Sequence, residues 1–274
     1  MIKGIFNKLM EIFLPNANDH TSAYAAMSAF FFMLSLIPTI LLMLTLVQYT
    51  SLTKVDIMSL VVRIVPENVT QTALSIVNQV YNQSSAIIPI TMIVALWSAG
   101  RGVLAITAGL NWVYNSKETR NYLFLRIRAT FYTVFFIVVI ITTLVALGFG
   151  NSISLFVEKY IPIASHITKF MIQIRLIATF IGMTVFSMFI YRFLPNRKGN
   201  WGQQIPGALF TSIGWQITSL FVSKYLEIFK GFANMYGSLT TIVLIMLWLY
   251  FSMYIMLLGG RLNRYLQIKK WEKS

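Results

Sequence analysis

No cysteine occurs in the 274 residues, and the two histidines, His20 and His166, are far apart. Thiol catalysis, thiolate metal sites and a histidine-rich metal centre are excluded on that ground. Acidic side chains are scarce too: there are 8, and charged residues of both signs make up 11% of the chain, against roughly 25% in soluble domains. No G-x-x-x-x-G-K-[ST] phosphate loop is present, so the chain carries no ATPase motif. What fills the sequence instead is apolar. Hydrophobic residues reach 57% and mean hydropathy is +0.71, against about 45–50% apolar in a soluble domain. A core of this size cannot hide that surface, so part of it must face lipid. An ordinary soluble enzyme, a disordered chain and a nucleic-acid-binding domain are excluded together.

A spanning helix needs about 20 apolar residues, and six segments of that kind are present. They cover roughly 24–49, 87–113, 130–150, 171–194, 207–222 and 239–262. The predicted fold class is all-α: a polytopic membrane helix bundle of about six transmembrane helices, forming a single integral membrane domain over 1–274. Pro38 lies inside the first segment and is expected to kink it. Pro195 suits a stop after the fourth segment, and Pro206 suits the first turn of the fifth. Residues 1–20 begin with an apolar pattern at helical spacing (Ile2, Ile5, Phe6, Leu9, Ile12, Phe13), which predicts a cytoplasmic amphipathic segment and not a cleaved signal peptide. The outer connections place apolar residues at similar spacing over 69–81, 153–163 and 224–236, predicting amphipathic helices in the outer interface.

Formal net charge is +14. With the N-terminus inside, fourteen of the 22 basic residues fall on the cytoplasmic side and seven outside, with Arg101 within a span. The positive-inside rule then places both termini in the cytoplasm of a bacterial inner (plasma) membrane protein, and 264–274 reads as a basic cytoplasmic tail. Membrane lipids with anionic headgroups are the expected partners and a homo-oligomer is a candidate; nucleic acid is not expected. No cofactor is implied.

Arg101 is the most informative residue. It sits in LWSAGRGVLAI, with fourteen residues of its segment before it and twelve after. An arginine at that depth costs about 2.5–3.5 kcal/mol even on a lenient insertion scale, so it should face the bundle interior or a water-filled cavity. At 100° per residue, Val94, Trp97, Ser98, Leu104, Ala105, Ala108 and Trp112 share its face, and the small ones leave space. The acids Glu11, Asp19, Asp56, Glu67, Glu118, Glu158, Glu227 and Glu272 all fall outside the predicted spans. The charge of Arg101 is therefore met by backbone carbonyls, by an acid folding in from outside, or by an anionic ligand. A guanidinium fork matches phosphate well. Arg101, Ser98, Trp97 and Asn111 form the candidate anion-binding set, and Pro38, Gly100 and Gly102 the candidate hinge and packing positions. No catalytic and no metal-binding residue is assigned. A weak echo links Gly109-Leu-Asn111-Trp-Val-Tyr114 with Gly260-Arg-Leu-Asn263-Arg-Tyr265.

Four ordered motifs resemble the YihY/BrkB family: AAMSAFFFMLSLIP at 25–38, LWSAGRGVLAITAGLNWVY at 96–114, RFLPNRKGNWGQQIPGALF at 192–210, and YGSLTTIVLIMLWLYFSMYIMLLGGRLN at 236–263. The resemblance implies a bacterial inner-membrane protein of six spans. It also implies that the old family label ribonuclease BN is mistaken, and it brings associations with serum resistance and, in one case, export of a lipid A precursor. Members commonly carry G-A-E-L-N in the last motif, where this chain has Arg261 within GGRLN. The expected function is that of a transporter or flippase-like facilitator for an anionic amphiphile such as a phosphate-bearing lipid, and not that of an enzyme. The alternatives are a structural envelope protein without transport activity and a small-anion channel. A ribonuclease is disfavoured, since nuclease chemistry needs clustered carboxylates for metal ions or a positioned acid–base pair.

Overall fold

The computed structural model of the chain describes residues 19–47, 53–64, 70–71, 74–75, 77–78, 87–135, 165–197, 199–228 and 238–271. Among the described residues there is helix and no strand. The predicted helices over 1–14 and 153–163 lie outside the described residues, as do parts of those over 69–81 and 224–236.

Each helix boundary follows from a local signal. Helix α1, Thr21–Val47, starts where the Asp19 carboxylate accepts from the Thr21 amide (2.9 Å) and hydroxyl (2.5 Å), satisfying a first-turn donor. It continues through Pro38. Helix α2, Lys54–Ile64, begins with a reciprocal cap: Thr53 N–H donates to Asp56 Oδ2 at 2.8 Å, and Asp56 N–H donates to Thr53 Oγ1 at 3.3 Å. It lies in the connection between the first two predicted spans, N-terminal to the helix expected over 69–81. Helix α3, Ile87–Val113, ends in a Schellman turn: Ser116 N–H reaches the Asn111 carbonyl, Asn115 N–H reaches that of Trp112, and Asn115 takes φ 52°. Asn121 caps helix α4, 122–135, through Leu123 N–H (3.1 Å). Helix α5, Ser165–Phe193, stops just before Pro195. A 3-10 turn, Trp201–Gln203, leads into α6, Ile205–Ile228, with Pro206 in its first turn. Helix α7, Ser238–Trp271, carries the basic tail in helical form as far as Trp271.

Within α6 and α7, the stretches Ile205–Tyr225 and Ile242–Lys269 are long and apolar enough to cross a membrane. The chain divides into two compact units, one of residues 1–33, 101–126 and 170–274, the other of 34–100 and 127–169.

In the first unit α6 and α7 pack backbone to backbone. A Cβ on Gly207 would run into the Gly259 carbonyl and the Asn263 amide, and one on Gly259 into the Thr211 and Tyr191 hydroxyls. Close approach of small residues is how helices gain contact where lipid supplies no hydrophobic drive between them. The Tyr191 hydroxyl sits 2.5 Å from Thr211 Oγ1 and donates to the Met256 carbonyl at 2.7 Å, tying α5, α6 and α7 together. Segment 101–113 of α3 packs on α1 and α7 through Gly109, whose Cβ position lies 2.9 Å from Tyr24 Cβ and 3.0 Å from Leu257. In the second unit, Ile57 of α2 is buried while Val55 and Val62 are exposed.

Candidate functional site

The buried side of α3 is formed by Ala99, Val103, Ile106 and Leu110. Its exposed stripe carries Val94, Trp97 (54% exposed) and Arg101, with Ser98, Leu104, Ala108 and Trp112 half-buried beside it. Arg101 is thus exposed and not enclosed in the helix packing of its unit. Its guanidinium lies 5.7 Å from the centroid of the Phe31 ring on α1, a cation–π contact. Among the described residues it makes no ion pair and no hydrogen bond. Gly102, the next residue, is buried with its Cβ position 3.1 Å from the Phe32 ring, so Arg101 is held by a tight α1–α3 contact directly behind it. Gly100 is also buried.

The C-terminal ends of α3 and α7 and the connection from α5 to α6 hold a polar network that no local sequence signal assembles. Asn111, expected near the anion, is buried with both ends of its amide engaged. Its Nδ2 donates to Glu118 Oε2 (2.7 Å), and its Oδ1 accepts from the Asn196 backbone N–H (2.7 Å). Asn263, its counterpart in the sequence echo, is fully buried, and its Oδ1 accepts from the Gly207 N–H at 2.7 Å. The two asparagines therefore hold the two ends of the 196–207 connection. Between them, Arg197 lies 3.4 Å from the centroid of the Tyr114 ring and donates to Gln267 Oε1 (2.6 Å) and to Gln204 Oε1 (3.0 Å). Burial pulls the Arg197 pKa down, and the Tyr114 hydroxyl partly offsets it.

Two carboxylates complete the network, each against an arginine. Glu118 takes a two-pronged contact from Arg120, at 2.7 and 2.6 Å, while Arg120 also reaches the Leu194 carbonyl. The hydrogen bond from Arg120 is the main cause that brings the Glu118 pKa down to about 2. Asp19, with 4% of its side chain exposed, pairs with Arg261 at 2.6 Å, and Arg261 also donates to Thr21 Oγ1 at 2.8 Å. Burial pushes the Asp19 carboxyl up, but hydrogen bonds from Arg261 and Thr21 outweigh it, leaving it below the ordinary aspartate value. The positive charge at residue 261 is thus matched two residues before α1. Two local signals were present in the sequence, the D-x-T of 19–21 and the E-x-R of 118–120; nothing local reveals the 19–261 pairing.

Residues 16–274 match the family model described as Virulence factor BrkB. The ribonuclease-like protein YfkH of Bacillus subtilis (strain 168) is 30% identical over 264 residues, covering 96% of each chain. A UPF0761 membrane protein of Idiomarina loihiensis is 26% identical over 58% of this chain and 54% of its own. One from Pseudoalteromonas translucida is 31% identical over 33% of this chain and 30% of its own. No solved structure matches.

Proposed function

We propose, from the premise that the chain belongs to the virulence factor BrkB family of membrane proteins, that it is a facilitator that moves an anionic amphiphile, a phosphate-bearing lipid, across the bacterial inner membrane. Six spans with both termini in the cytoplasm form the path, and Arg101 contacts the phosphate. The carrying observation is the state of Arg101. It lies fourteen residues into a 27-residue apolar helix, exposed, with a phenyl face as its neighbour and no acid paired with it among the described residues. A guanidinium fixed by carbonyls would be architectural; one that offers its N–H fork outward is available to an anion. By helical spacing Trp97 and Ser98 lie one turn before it on the same helix, giving the phosphate a hydroxyl donor and the amphiphile an aromatic neighbour. Pro38, Gly100 and Gly102 are the places where the two helices behind the site can flex.

The name of the Bacillus subtilis relative describes that protein as ribonuclease-like. Transfer of that activity here has little support, since Asp19 and Glu118 are each held in an arginine pair. The test is movement of a labelled anionic lipid between the leaflets of vesicles holding purified wild type, Arg101→Lys or Arg101→Ala, with thermal stability recorded alongside. A planar two-pronged contact distinguishes Arg from Lys, so the lysine variant should stay folded and lose most of the activity, and the alanine variant should lose more. If both variants unfold and the wild type shows no dependence on the anion, Arg101 is architectural and the protein a scaffold.

A further inference from the structure

The inner end of α5 and the turn after it carry side chains that the Arg101 site does not use. Phe189 and Phe193 stack at 5.6 Å, and Trp201 meets both edge-on, at 5.2 and 5.7 Å. Arg192 lies across this cluster. Its guanidinium carbon is 4.9 Å from the Trp201 centroid and 5.9 Å from that of Phe193, and its Nη1 donates to the Gly199 carbonyl. No acidic side chain among the described residues pairs with it. A guanidinium has five N–H donors; one carbonyl and two ring faces leave most of them, and the whole charge, without an anion among the described residues.

The cluster is also open. Phe189 is 41% and Trp201 40% exposed. Two exposed apolar rows lead away from it at four-residue spacing, Phe189, Val185 and Ile181 along α5, and Ile205, Leu209 and Ile213 along α6. A track of this kind that ends in an aromatic-flanked guanidinium has the polarity of a lipid, chains first and phosphate last. Tryptophan favours the headgroup level of a bilayer, and arginine grips phosphate with two prongs.

We propose that Arg192, Trp201 and Phe193 form a resident binding site for the headgroup phosphate of an anionic glycerophospholipid, whose acyl chains lie along the two rows. Charge complementarity chooses the occupant. A second copy of a chain with net charge +14 brings no anion, and a zwitterionic lipid offsets its phosphate with its own cation. The proposal needs only that this end of α5 meets a membrane surface, so it stands or falls separately from transport by Arg101.

The experiment uses the full chain in nanodiscs of phosphatidylcholine. Either phosphatidylglycerol or further phosphatidylcholine is added with bromine near the headgroup end of its acyl chains. Fluorescence of wild type minus that of Trp201→Phe isolates Trp201. The expected result is quenching by the brominated anionic lipid at about one fifth the mole fraction needed for the zwitterionic one, the preference that one basic contact near an anionic headgroup gives, and its decay with added salt. Arg192→Gln should bring the two lipids to parity while quenching persists, and Arg192→Lys should fall between. Equal quenching in wild type, no quenching by either lipid, or a preference that survives Arg192→Gln overturns the proposal. Loss of quenching by both lipids in Arg192→Gln overturns it too, because Arg192 would then hold the turn and not the headgroup.

Discussion

Breaking the Asp19–Arg261 pair separates a charge effect from a capping effect at one place. Arg261→Met leaves the Asp19 carboxylate unpaired with 4% of its side chain exposed. Losing one partner of a buried pair costs about 3–5 kcal/mol, and because Arg261 itself keeps 18% exposure we expect about 2–3 kcal/mol here. Asp19→Asn keeps the cap on α1, since asparagine caps as well as aspartate. It removes only the carboxylate charge, and the partly solvated guanidinium keeps its hydrogen bond to Thr21 Oγ1, so about 1 kcal/mol is expected. The double variant replaces the pair with neutral groups and should cost about 1 kcal/mol, well short of the sum of the singles. The pH response has a definite sign. In the wild type the folded pKa of Asp19 is depressed below 3.8, so its contribution is present above that pH and fades as pH falls through the folded value. In Arg261→Met the upward push of burial loses its main opponent and the carboxyl pKa rises, so lowering pH from about 7 to about 5 should restore part of the lost stability. The assay is unfolding of the four purified proteins in mixed micelles at both pH values. Additive single effects, or an Arg261→Met that weakens further on acidification, would refute the reasoning.

Gly207→Ala should destabilise by about 1–3 kcal/mol, the range for forcing a methyl into packed backbone, because its Cβ meets the Gly259 carbonyl and the Asn263 amide. Gly202→Ala, with nothing within 4 Å, is the matched control and should leave the melting temperature unchanged in the same scan. The six-span arrangement predicts that single cysteines placed at 196 or 270 in this natively cysteine-free chain react with an impermeant thiol reagent only after the cells are opened. Labelling of either in intact cells would overturn that arrangement.

The helices were legible because apolar length is a local property. Described helices occupy 21–47, 87–113, 165–193, 205–228 and 238–271, each beginning or ending close to a predicted apolar segment, and 122–135 opens on the third. Helix α2 was not, because eleven residues with alternating charge and apolar character fall below any span criterion, although Thr53 and Asp56 carry its cap. The polar network around the 196–207 connection was illegible for a different reason. Asp19 and Arg261 are 242 positions apart, Tyr114 and Arg197 83, and amides such as Asn111, Gln204 and Asn263 give no charge pattern to follow. The echo of Gly109–Tyr114 in Gly260–Tyr265 was visible, but its meaning needed the fold: each asparagine holds one end of the 196–207 connection. Arg101 stood out in the sequence as a charge inside an apolar segment that holds no acid, and its exposure beside Phe31 required the packing of α1 on α3.

The most direct test of the central claim asks whether the face of α3 that bears Arg101 is wet. Single cysteines at Val94, Ser98, Leu104 and Ala108 sample that face, and cysteines at Val103 and Ile106, both buried, sample the packed side. Reaction with a charged, water-borne thiol reagent in vesicles should be fast at Ser98→Cys and Ala108→Cys, slowed when a phosphate-bearing lipid is added, and absent at Val103→Cys and Ile106→Cys. If the Arg101 face reacts only with lipid-soluble reagents and added anionic lipid changes nothing, Arg101 faces hydrocarbon, and a phosphate path along it is contradicted.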